Sequence, residues 1–252
     1  MITPELSRLI IQFADDDLFM GHRNSEWTGL GPILEEDIAF SSMAQDQLGH
    51  ALAWFTWLHE ESGFENPDIM AFARNPTEYQ CCHLTQFYTD KYEDALIRQF
   101  LYDYGKIIWL EAVQKIQNPA IAGIASRILK EMKYHLLHAN TWILQLGKAN
   151  TESNERLQHA INQIYPKAYS LFEPTEYINQ LCSMNILPAL KELTERWQHA
   201  TQKIITQANL TIPKHLSIEE HYGGRSGNHT KDFYQLIEEM TEVFRLEPNA
   251  KW

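Results

Sequence analysis

The sequence is short of the residues that cross-link small folds or break up regular structure. Its 252 residues include only 3 cysteines, and 11 glycines and 10 prolines are spread along the chain. Cys81, Cys82 and Cys182 are too few and too poorly spaced for a disulfide framework or a thiolate zinc site. We therefore expect buried free thiols in a reducing cytosol, and a globular rather than a disordered chain.

Long apolar runs and an excess of basic residues are also lacking. No stretch approaches the roughly 18 apolar residues that a membrane span needs, and residues 1–5 do not resemble a signal peptide. A formal net charge of −12 argues against binding to the phosphate backbone of nucleic acids. The sequence thus predicts a cytoplasmic protein with neither a membrane span nor a nucleic-acid partner.

The alternation of apolar and polar residues that marks β-strands is absent, and apolar residues instead recur every three to four positions. This pattern predicts an all-α fold, a four-helix bundle with additional C-terminal helices. We expect a single domain over residues 1–252, with the core bundle at about 5–147 and the C-terminal helices at about 152–246. The individual helices are predicted from Thr3 as N-cap to about Asn24, from Ile33 through Leu58, at 84–116, at 120–146 with Gly147 as C-cap, at 152–171, at 188–208 and at 230–244, with a crossover at 62–82.

Two helices carry a histidine in the pattern of a di-iron carboxylate bundle. Such a bundle takes one acid from each of two helices and Glu-x-x-His from each of the other two. His50 and His135 fit the histidine positions, but the residue three before each is Gln47 or Met132 rather than Glu. Iron bridged by oxygen needs several anionic ligands, so the pattern indicates a degenerate site.

The partner helices supply one acid to each half of the pattern. Asp17 precedes His50 by 33 residues and Asp103 precedes His135 by 32, which resembles a repeat. Asp17, His50, Asp103 and His135 are therefore predicted as a vestigial, empty metal site. The structural alternative is that the two histidines are core residues hydrogen-bonded to the two aspartates, because a buried polar group needs a partner.

Other acids could replace the missing ligands. Asp46 and Glu131 each stand four residues before a histidine, and Glu36 falls on the same helical stripe as Gln47 and His50. We interpret all three as ordinary charged helix surface, since acidic residues in a first turn favour a helix N-terminus.

A glycine-rich segment at 222–230 precedes the last helix. Arg225 and His229 in this segment are candidates for contact with an anion such as the phosphate of a nucleotide or of CoA, because a helix N-terminus attracts negative charge. The alternative is a plain interhelical loop with Asn228 as the cap. Hydrolase, nucleotidase and nicotinamide-enzyme motifs are absent from the sequence.

Several separated motifs, in this order, resemble one subunit family of the bacterial ring-1,2-phenylacetyl-CoA epoxidases, the family of the subunit designated C, and the likeness extends to Trp252. They are Arg23 to Trp27 with Gly29 and Gly31, the acidic run Glu35 to Asp37, Asp46-x-Leu48-Gly49-x-Ala51, Lys130-Glu131 with Tyr134-His135, and Gly223-Gly224-x-x-Gly227-x-His229-Thr230.

This resemblance implies a ferritin-like fold and a role in aerobic phenylacetate catabolism. In such an epoxidase the catalytic subunit holds the di-iron pair and binds phenylacetyl-CoA, and a reductase supplies electrons. The subunit that this chain resembles stabilises the catalytic subunit and has a decayed metal site of its own. We accordingly expect a non-catalytic structural subunit in a hetero-oligomeric oxygenase complex, with no cofactor in this chain and with surface contributed to the CoA-thioester pocket. Iron at low occupancy, and a homodimer when the chain is alone, are the alternatives.

Two further hypotheses compete with this one. The chain could be an active di-metal oxygenase or ferroxidase that recruits Asp46, Glu131 or Glu36 as replacement ligands. It could also be a small-molecule storage or binding bundle without chemistry, which would form a stable homo-oligomer that ignores the catalytic partner.

Overall fold

The computed structural model describes residues 3–247, and within that range every regular element is a helix. Trp252, to which the resemblance extends, lies outside the described residues. The all-α, ferritin-like fold class is confirmed. The α-helices, in chain order, are α1 (Pro4–Ser25), α2 (Leu34–Ser62), α3 (Pro67–Phe72), α4 (His83–Gln86), α5 (Tyr92–Val113), α6 (Pro119–Ala149), α7 (Thr151–Ala168), α8 (Glu176–Ser183), α9 (Leu190–Gln207) and α10 (Lys231–Leu246).

The chain divides into two compact units. Unit 1 comprises residues 1–88 and 223–252, and unit 2 comprises residues 89–222. Unit 1 therefore contains α1 to α4 and α10, and unit 2 contains α5 to α9. Compactness alone does not make a unit an independently folding domain, so the single domain over residues 1–252 stays a prediction.

Unit 1 is built on the antiparallel pair α1 and α2. The hydroxyl of Ser7 lies 3.4 Å from that of Ser62, whereas the backbone of Gly21 lies against Leu48, so the two helices run in opposite directions. The Thr3 side chain caps α1 by accepting from the Leu6 amide at 3.3 Å, an interaction worth about 1 kcal/mol. Both the cap and the end of α1 agree with the sequence prediction.

Unit 2 is built on α5 and α6, onto which α7 and α9 pack. Trp197 of α9 is fully buried, and its indole N–H donates to the Leu101 carbonyl of α5 at 3.1 Å. Tyr165 of α7 stacks on Trp197 with ring centroids 5.1 Å apart. The indole thus buries a large apolar surface while its one polar group is satisfied.

The structure corrects several predicted boundaries. The helix predicted over 84–116 begins only at Tyr92, after the separate short helix α4, and α8 was not predicted at all. Gly147 is not a C-cap: α6 continues to Ala149, and a Cβ on Gly147 would stand 2.4 Å from the Ala208 carbonyl oxygen. The glycine is needed there because the chain approaches α6 too closely for any side chain.

The three cysteines are free thiols, as predicted. Cys81 and Cys82 are buried, whereas Cys182 is only half-buried, and the prediction of a buried thiol was wrong for that residue. None of the helices in the described part of the chain is both long and apolar enough to cross a membrane.

Candidate functional site: two degenerate half-sites

The first half-site lies between α1 and α2 in unit 1. Asp17 of α1 and Gln47 and His50 of α2 are all buried. The side-chain amide of Asn24 donates to the Gln47 Oε1 atom at 2.8 Å. Helical spacing puts Gln47 and His50 on one face of α2, and that face is turned into the core of the unit.

The second half-site lies on α5 and α6 in unit 2. Asp103, Met132 and His135 have no exposed surface. The Gln99 side chain donates to the Asp103 Oδ1 atom at 2.6 Å, and the His135 Nδ1 atom lies 3.9 Å from the same oxygen. That separation suits an ion pair but exceeds a hydrogen bond, so these two atoms do not form the hydrogen bond expected between His135 and Asp103. The corresponding bond between His50 and Asp17 stays a prediction.

The donor atoms of the two half-sites do not fit a di-iron pair. A ferritin-like di-iron centre draws on four carboxylates and two imidazoles. Here two of the four carboxylate positions are neutral: Gln47 carries an amide whose oxygen already accepts from Asn24, and Met132 carries a thioether. A soft thioether and a neutral amide cannot offset the charge of two iron ions. Four of the six positions, Asp17, His50, Asp103 and His135, keep a side chain that could ligate a metal.

The alternative acids differ from one another in the structure. Glu36 is buried on α2, so its interpretation as charged surface was wrong, whereas Asp46 and Glu131 are half-buried. The buried positions of α2 place Glu36 three turns before Gln47 on the same inward face. Over residues 3–247 the histidine, cysteine and carboxylate side chains form no group of three or more with the geometry of a metal site.

The glycine-rich loop does not present Arg225 as a free cation. The guanidinium is buried in unit 1 and donates twice to the Asp16 carboxylate, at 2.8 and 2.7 Å. It also donates to the Gln80 carbonyl at 2.7 Å. An incoming anion would have to compete with Asp16 for this bidentate pairing. The predicted contact of Arg225 with an anion stays a prediction.

His229 is held in the same loop by neighbours from unit 1. Its ring stacks on Phe233 at 3.8 Å between centroids, and its Nδ1 atom lies 2.9 Å from the Gln86 side-chain amide. Burial lowers the pKa of His229 to about 4, so the imidazole is neutral at pH 7 and attracts an anion only weakly. The cap of the following helix is Thr230, which accepts from the Phe233 amide, and the prediction of Asn228 as cap was wrong.

Sequence reasoning missed a buried double ion pair at the centre of unit 1. Asp15 and Asp16, adjacent on α1, are both buried. Asp15 pairs with Arg74 and accepts from the Gln80 amide at 2.7 Å, while Asp16 pairs with Arg225. The signal was available: three consecutive aspartates interrupt an otherwise apolar helix, and buried carboxylates need partners.

The fold and the half-sites together define a ferritin-like, all-α protein whose di-iron ligand pattern is incomplete. Comparison with known proteins narrows this class. The chain belongs to the phenylacetic acid catabolic protein family, whose model matches residues 2–252. It is also 26% identical over 248 residues to the subunit designated C of the 1,2-phenylacetyl-CoA epoxidase of Escherichia coli (strain K12), an alignment that covers 98% of this chain and 99% of that protein.

Proposed function

We propose that this chain is the non-catalytic structural subunit of a multicomponent phenylacetyl-CoA epoxidase in aerobic phenylacetate catabolism. The observation that carries the proposal is the end-to-end similarity to a phenylacetyl-CoA epoxidase subunit, combined with Gln47 and Met132 at two positions where a di-iron site needs carboxylates. In this role the chain binds the di-iron catalytic subunit and contributes surface beside its CoA-thioester pocket. A separate reductase supplies the electrons.

A partner that binds only the folded catalytic subunit stabilises it by mass action. At a concentration of 100 times the dissociation constant, the stabilisation is about 2.7 kcal/mol. The proposed subunit therefore supports turnover without contributing a reacting group. Its buried half-sites keep the packing of a metal-binding ancestor, with Asn24 satisfying the amide of Gln47.

Reconstitution tests this proposal. The catalytic subunit and reductase are assayed for epoxidation of phenylacetyl-CoA with and without this chain, and the chain is assayed with the reductase alone. We expect turnover only when the catalytic subunit is present, and a higher melting temperature of that subunit when this chain is added. Turnover by this chain and the reductase alone, or a catalytic subunit indifferent to the chain, would contradict the proposal.

The competing function, an active di-metal oxygenase or ferroxidase, receives support from one observation. Glu36 is a buried carboxylate on the inward face of α2 that also carries Gln47 and His50. If Glu36 is a ligand, Glu36→Gln should abolish iron binding by the purified chain. The proposed structural role predicts instead that Glu36→Gln leaves the iron content unchanged, and that the double variant Gln47→Glu with Met132→Glu raises it.

A further inference from the structure

The outward face of α2 is unusual for a surface helix in so acidic a protein. From Leu34 to Thr56 the residues along the centre of this face are uncharged, and they are Leu34, Ile38, Ser41, Gln45, Gly49, Leu52 and Thr56. We name these seven residues the α2 face. Its large side chains are well exposed: Leu34 is 69%, Ile38 57% and Leu52 55% accessible.

Nothing within the described chain covers the middle of this face. A Cβ placed on Gly49 would meet no atom within 4 Å, and Gln45 is exposed. Two more exposed aliphatic side chains, Leu30 and Ile33, extend the apolar surface at the end where α2 begins. A contiguous apolar surface of this kind marks an interaction site more often than plain solvent-facing helix.

The α2 face is symmetric about Gln45. Ile38 and Leu52 each stand seven residues from it, Ser41 and Gly49 each stand four, and Leu34 and Thr56 each stand eleven. When two such helices cross antiparallel about a two-fold axis at Gln45, Ile38 of one copy meets Leu52 of the other. Serine and glycine then oppose each other and let the backbones approach closely.

Charge also favours a second copy as the occupant. Each chain has a formal net charge of −12, so two copies repel unless they meet through an uncharged surface. The α2 face satisfies this condition. The outward face of α6 does not, because it presents Arg127, Lys130 and Lys133, and two copies of that face would repel.

We propose that the chain, purified without other subunits, forms a two-fold symmetric dimer in which the α2 faces of two copies pack antiparallel about Gln45. The face is about 33 Å long at 1.5 Å per residue and about one helix wide. An interface of this size lies at the small end of specific interfaces, so the dissociation constant falls in the micromolar range. The dimer is a property of the isolated chain, whatever partner it has in a larger assembly.

Sedimentation at chain concentrations from about 1 to 100 µM measures the equilibrium, a range chosen to bracket a micromolar dissociation constant. Leu52→Glu places a charge at two points of a symmetric interface and weakens the dimer by roughly 100-fold or more. The matched control is Leu137→Glu on α6, at a side chain that is 65% exposed and off the face, which leaves the dimer unchanged. Both variants alter exposed side chains, so circular dichroism confirms that they stay folded.

Cross-linking tests the register, in a Cys182→Ser background because Cys182 is the native thiol that is not buried. The pair Ile38→Cys with Leu52→Cys forms an intermolecular disulfide under mild oxidation. Either substitution alone does not, because two copies of Ile38 would stand about 21 Å apart along the axis, well beyond disulfide reach.

Three results would overturn the proposal. These are a monomer at the highest concentration, a dimer indifferent to Leu52→Glu, and equal cross-linking by the single and double cysteine variants. If the chain alone is a monomer and the α2 face is protected only when the catalytic subunit is added, the occupant is that subunit and not a second copy.

Discussion

Replacing Asp16 with asparagine should destabilise the protein more than any surface change of equal size. The Asp16 carboxylate accepts two bonds from Arg225 and one from the Cys82 amide at 2.8 Å. It joins α1 to a loop 209 positions later in the sequence. The Asp16→Asn variant leaves a buried guanidinium without its counter-charge.

Removing one partner of a buried ion pair typically costs about 3 to 5 kcal/mol. Total stabilities of folded proteins are about 5 to 15 kcal/mol, so this loss is a large share of the free energy of unfolding. Asp16→Leu combined with Arg225→Met removes both charges together, and we expect that double variant to lose much less than either single variant. Urea unfolding at pH 7 provides the measurement.

The matched control is the exposed pair of Arg156 and Glu152 on α7, whose side chains are 61% and 74% accessible. Glu152→Gln should cost no more than about 0.5 kcal/mol, because solvent screens such a pair. A loss of less than about 1 kcal/mol for Asp16→Asn, close to the surface control, would refute the reasoning that the pair is a buried structural tie.

Two further predictions concern packing and pH. Gly147→Ala should destabilise by about 1 to 3 kcal/mol through overpacking against Ala208, whereas Gly123→Ala in the same helix, where a Cβ meets nothing, should stabilise by about 0.5 to 1 kcal/mol; thermal unfolding separates them, and equal effects would contradict the close approach at Gly147. Burial, and secondarily Arg23, lowers the pKa of His22 to about 4 from 6.5, so stability is full above pH 6.5 and falls as the pH drops towards 4, because the unfolded chain binds the proton first. His22→Gln should flatten the unfolding free energy over that window by about 2 kcal/mol, while His215→Gln at an exposed position should leave the slope as it is.

Local signals in the sequence were enough to predict the long helices. Thr3 followed by Pro4 defined the start of α1, and the three-to-four-residue periodicity defined the bodies of α2 and α6. Gly147 was misread because a glycine near a helix end resembles a C-cap, whereas its actual role depends on a distant backbone segment at Ala208. A close approach between segments so far apart leaves no local trace.

The half-sites were predictable to a similar extent. The spacing of Gln47 to His50 and of Met132 to His135 indicated which residues turn inward, and the burial of all four agrees. Glu36 was misassigned because an acidic first turn normally faces solvent. The pairing of Asp16 with Arg225 could not be predicted, since the sequence shows that buried aspartates need partners but does not show which arginine lies nearby.

The central claim, that this chain is a structural subunit with a decayed metal site, is tested most directly by its iron content. Elemental analysis is made on the chain purified alone after growth in iron-rich medium, and on the chain co-expressed with the di-iron catalytic subunit. The account predicts well under one iron ion per chain in the first preparation and iron in the second, because Gln47 and Met132 remove two of the four carboxylates that a di-iron site needs. Close to two iron ions bound to the chain alone would contradict it and show that this chain is itself a metalloenzyme.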